Sequence, residues 1–177
     1  MTRVNNYSQL EAVLIQILTD CMNEVAEKAV KLLQEHVKKD VYAKGDSMGR
    51  SHYYDGSATP TYDLHDSVVN SDAEVKGKEI TARVYHDKDK MGHDPGTYLH
   101  GSNYFTPKDV REMLPYLIDQ GKTGDMFGYK WDNLMRPYMS NTRKELDEEF
   151  LNKWMIEALN KRGINVRQGV RLSARVK

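Results

Sequence analysis

The segment His86-Asp87-Lys88-Asp89-Lys90-Met91-Gly92-His93-Asp94-Pro95-Gly96-Thr97-Tyr98-Leu99-His100 gathers three histidines and three aspartates. That donor set could hold zinc or another divalent cation. With a metal in place, an imidazole among His86, His93 and His100 could serve as the general base of a small metal-dependent nuclease or DNA-processing protein. The spacing argues against it. Steps of seven between histidines match neither His-Glu-x-x-His on one helix face nor a Cys/His finger, and Asp87-x-Asp89 lacks the downstream glutamate of a calcium loop. The segment therefore reads first as a polar loop, with the nuclease as the alternative. Gly121-Lys122-Thr123-Gly124 lacks the leading glycine and spacer of a phosphate-cradling loop. Cys21 falls within an amphipathic stripe, where a thiol behaves as a small hydrophobe. No catalytic residue, metal set or cofactor site is expected, and the protein is expected not to be an enzyme.

The tyrosines Tyr42, Tyr53, Tyr54 and Tyr62 could stack on single-stranded nucleic acid or form a protein interface. Stacking comes with a basic groove, yet this stretch sets Lys44 and Arg50 against Asp46, Asp55 and Asp63. The charge balance favours a protein interface or packing across a helix. The C-terminal stretch Ile164 to Lys177 alternates Val166, Val170, Leu172 and Val176 with Arg167, Arg171 and Arg175 and contains no acid. It reads either as a strand able to join a neighbour's sheet edge or as an unanchored basic end.

The elements that must position these residues follow from periodicity. Apolar residues Leu10, Leu14, Ile17, Leu18, Cys21, Val25, Ala29, Leu32, Leu33 and Val37 recur at helical spacing. Ser8 and Glu11, at capping-box separation, predict the start of a helix running from about Tyr7 to Tyr42. Such a helix is longer than a small domain's own core requires, so part of its stripe is expected to be covered by another subunit. Residues 44 to 61 show no period and read as a long loop. Ser67 to Val75 and Glu79 to His86 read as a hairpin turning at Lys76-Gly77-Lys78, with Ile80, Ala82 and Val84 on one face. Thr106-Pro107 opens a shorter helix that Pro115 kinks and Gly121 stops. Pro137 opens a last helix that ends at Gly163.

Composition bounds the rest. With 26 acidic and 26 basic side chains the 177-residue chain carries no net charge, which argues against a general polyanion binder. Its single cysteine allows no intrachain disulfide and favours a reducing compartment such as cytoplasm. No signal peptide or membrane span is expected.

Pro60-Thr61-Tyr62-Asp63-Leu64-His65-Asp66-Ser67-Val68, Tyr116-Leu117-Ile118-Asp119-Gln120-Gly121-Lys122 and Arg136-Pro137-Tyr138-Met139 occur in this order along the chain. In that order and in these residues the chain resembles the head–tail connector or tail-completion proteins of long-tailed bacteriophages, also described as neck, minor capsid or minor tail proteins. Tyr62-Asp63 stands where the family pattern has Thr-Gly. The stretch from Asp87 to Leu114 is longer than the family usually carries. The resemblance implies a virion protein without catalytic residues or cofactor, assembled in the host cytoplasm. Its implied partners are further copies of itself in a ring and the adjoining neck or tail proteins. DNA would pass through without specific binding, and no membrane is involved.

The expected architecture is α+β: a long N-terminal helix packed on a small, mainly antiparallel sheet, with further helices including a C-terminal one. Residues 1–163 are expected to form one connector-like domain and 164–177 a basic tail. Candidate interface residues are Tyr53, Tyr54, Tyr62, Leu64, Arg136, Tyr138, Arg167, Arg171 and Arg175.

Overall fold

A computed structural model describes residues 6–43, 63–91, 115–116, 118–120 and 135–166. The fold is α+β, with a long N-terminal helix, small two-stranded antiparallel sheets and a C-terminal helix. The chain divides into two compact units. One takes residues 1–30, 70–84 and 143–177, and the other residues 31–69 and 85–142.

Helix α1 spans Tyr7–His36 and continues as a π-helical segment over Val37–Tyr42, so its full extent matches the expected run from about Tyr7 to Tyr42. Its start differs from the expected box. The Asn6 side chain accepts the Gln9 amide at 2.9 Å, two positions before Ser8, because Asn is as good a cap as Ser and directly precedes Tyr7, the first helical residue. The wide last turn closes with the Ala43 amide donating to the Lys38 carbonyl at 2.8 Å, five residues back.

In the first unit, α1 packs on helix α4. This helix spans Leu151–Lys161 and is the last part of a helical run that begins as α3, Tyr138–Glu145, and passes through a π turn, Leu146–Phe150. Cys21 and Val25 of α1 bury against Met155, Ala158 and Leu159, with Ile17, Met22, Leu151 and Trp154 partly buried around them. Burying a side chain of this size stabilises by roughly 1.5–3 kcal/mol, so this apolar seam outweighs the ion pairs at its rim. Those pairs are Glu24 with Lys161 at 2.8 Å and with Arg162 at 3.1 Å, and Lys28 with Glu157 at 3.3 Å. Lys161 first, then Arg162, hold the Glu24 carboxyl below its usual range. Burial pushes the Cys21 thiol up, which keeps it protonated and inert.

Helix α4 ends where the sequence stops it. Gly163 takes φ +79° and donates to the Asn160 carbonyl at 3.0 Å, and the Ile164 amide reaches the Leu159 carbonyl at 3.0 Å. This is the left-handed glycine cap, and its accompanying apolar contact is present: Ile164 and Val166 pack on the core of the unit. The first residues of the expected tail are therefore anchored.

The hairpin forms with the expected turn. Strands β2, Glu74–Lys76, and β3, Glu79–Thr81, pair antiparallel around Gly77, whose φ of +62° suits the first position of a two-residue turn. Closer to its base the Ser71 amide donates to the Arg83 carbonyl at 2.9 Å. Between that pair and Glu74↔Thr81 one strand has an extra residue, so the ladder breaks there. The Ala73 amide, left without a cross-strand acceptor at the break, donates to the Asn23 side chain of α1 at 2.7 Å. Ile80, Ala82 and Val84 are half-buried while Thr81, Arg83 and Tyr85 are exposed, as alternation requires.

In the second unit, Leu33, Val37 and Val41 are buried, together with Leu64 of helix α2, Asp63–Asp66, and with Val68, Met91, Ile118 and Tyr138. Gln34 donates to the His65 carbonyl at 3.3 Å, and the His65 amide donates to the Tyr42 hydroxyl at 3.2 Å, which ties α2 to the end of the long helix. Strands β1, Val68–Asn70, and β4, Val84–His86, form the second pair, and the Asp87 amide donates to the Ser67 carbonyl at 2.7 Å at their end.

Candidate functional site

The pairing of β1 with β4 sets Asp87 opposite Ser67 and brings His86, the next residue, beside it, and the ring becomes the centre of a polar chain in the second unit. Its Nδ1 lies 2.8 Å from Ser67 Oγ and its Nε2 2.9 Å from the Tyr138 hydroxyl. Ser67 gives its proton to the Leu64 carbonyl at 2.9 Å, whereas the Tyr138 hydroxyl stands 3.4 Å from the Pro115 carbonyl. The shorter bond decides the proton order: Nδ1–H donates to Ser67, and Tyr138 donates to Nε2. Desolvation lowers His86 to about 4, against the opposing Leu64 carbonyl, so the ring is neutral at pH 7 and its two nitrogens play unlike roles. The Tyr138 ring meets the imidazole edge-on, with centroids 5.8 Å apart at 77°.

A Ser–His pair at this distance has the outline of a nucleophile and its base. The surroundings deny that chemistry. Ser67 has no exposed surface, and its proton is already committed to a carbonyl. What the chain does is hold three segments together, around positions 64–67, 86 and 138.

A second cluster caps α3. One Asp119 oxygen accepts the Met139 and Ser140 amides at 2.7 and 3.1 Å, and the other accepts the Ser140 hydroxyl at 2.9 Å and the Gln120 amide group at 2.6 Å. The carboxylate is 2% exposed and sits where the helix dipole favours negative charge. The Arg136 amide donates to the Ile118 carbonyl at 2.9 Å, so residues 118–119 are fastened to 136–140 on both sides of Pro137. A third buried group joins His36 Nδ1 to Asp40 at 2.7 Å, and Asp40 also accepts from Asn141 at 3.0 Å.

These bonds bring together residues from the three short sequence stretches. Leu64 and Ser67, Ile118 and Asp119, and Arg136 to Met139 meet in one unit, within hydrogen-bonding reach of one another or of His86.

The family model YomN matches residues 6–162. The chain belongs to the YomN family. That family is phage-derived, which makes this a phage protein. No curated protein and no solved structure matches the chain. The YomN match takes in both compact units, all three motif segments and the cap at the end of α4 up to Arg162.

Of the residues expected at an interface, Leu64 and Tyr138 lie in the interior at 4% and 0% exposure, where their contacts are with their own chain. Arg136 is half-buried, and its guanidinium donates to the Met135 carbonyl at 3.2 Å. Tyr53, Tyr54, Tyr62, Arg167, Arg171 and Arg175 lie outside the described residues, as do His93 and His100. His86, read as a candidate metal ligand, has both ring nitrogens engaged by protein groups. Among the described residues no three His, Cys, Asp or Glu side chains are grouped to hold a metal, and no helix is long and apolar enough to cross a membrane. Sequence reasoning missed the His36–Asp40–Asn141 group. Its signal was an aspartate standing on the apolar face between Val37 and Val41, one turn after a histidine.

Proposed function

We propose that this phage protein is a non-enzymatic structural component of the virion neck that joins head to tail. The observation that carries the reading is the meeting of the three motif segments in one buried polar framework. Short motifs scattered over a chain can arise by chance; motifs that jointly build one core are explained by a shared fold. Each polar group in that framework serves position. Ser67 and His86 fix the base of the hairpin and Asp119 fixes the start of α3; Ser67 and Asp119 are shut off from solvent, and both nitrogens of His86 are engaged by protein groups. This supports the non-enzymatic reading over the nuclease, since His86 has no free nitrogen for a metal. The uncovered stripe at the N-terminal end of α1 supports an assembling role, because a helix apolar beyond its own core asks for a neighbour.

Quantitative mass spectrometry of purified particles, with gold-labelled antibody against the protein, tests the reading. Neck placement is expected to give a low, fixed copy number per particle and label at the junction of head and tail. Absence from purified particles overturns it.

A further inference from the structure

We draw no further inference here: the strongest candidate, the exposed apolar stripe of Tyr7, Leu10, Leu14 and Leu18 at the N-terminal end of α1, carries nothing because nothing in the structure shows what covers it.

Discussion

Replacing Asp119 with alanine removes the acceptor of four hydrogen bonds in a setting 2% exposed. Two of those donors are backbone amides of the first turn of α3, which no intrahelical carbonyl can satisfy. Loss of a helix cap costs about 1–2 kcal/mol. Bonds to an ionised group contribute about 1.5–3 kcal/mol each but are far from additive when they share one carboxylate. Taken together, Asp119→Ala is expected to cost about 3 kcal/mol. For a chain of this size each kcal/mol moves the melting temperature by about 2–4 °C, so the expected drop is about 6–12 °C. Asp119→Asn keeps an oxygen for the two amides and turns an NH2 group toward Ser140 and Gln120. Both of those can reorient, so its cost is expected to be about 1 kcal/mol. Urea and thermal unfolding followed by far-ultraviolet circular dichroism measure both. An alanine variant within about 0.5 kcal/mol of the native protein, or an asparagine variant as damaged as alanine, would refute the cap as the reason for the buried carboxylate.

Further outcomes follow from the same contacts. His86 is lowered to about 4 in the folded protein from an ordinary 6.5. The unfolded chain therefore binds the extra proton first, and stability is complete above pH 6.5 and lost as pH falls toward 4. The loss is about 3 kcal/mol at 1.36 kcal/mol per pH unit, and it should shrink in His86→Gln when urea midpoints are compared across that window. A chain ending at Gly163 loses Ile164 and Val166 from the core of the first unit and is expected to be destabilised by about 2–4 kcal/mol. A chain ending at Val166 should unfold like the full protein, and equal midpoints for the two truncations would contradict the packing of Ile164. Gly163→Ala meets no atom within 4 Å and pays only for its φ of +79°, so a cost of about 1 kcal/mol is expected in the same assay.

The parts of the fold that repeat locally were legible in the sequence. The apolar series from Leu10 to Val37 marked α1, and the expected bounds Tyr7 and Tyr42 coincide with the helix and its π-helical end, which was silent because a single wide turn barely disturbs a 3.6-residue period. Alternation from Ile80 to Tyr85 gave the hairpin faces, and Gly163 gave the end of α4, because a glycine cap is a local conformational demand. What escaped is non-local. His86 looks like a metal ligand by type, and only the β1–β4 register and the approach of Tyr138 turn it into a half-buried structural hub. Asp119 caps a helix that begins nineteen positions later, whereas cap rules search only the residue beside the helix. The division into two units was equally hidden, since α1 enters both without a break in its apolar pattern.

The most direct test of the neck assignment is complementation in vitro. Lysates of a phage lacking this protein are examined by electron microscopy and assayed for infectivity before and after the purified chain is added. The account expects filled heads and finished tails lying unjoined, and infectious particles once the protein is supplied. Joined, infectious particles formed without the protein, or a defect confined to DNA packaging or tail length that added protein does not repair, would contradict it.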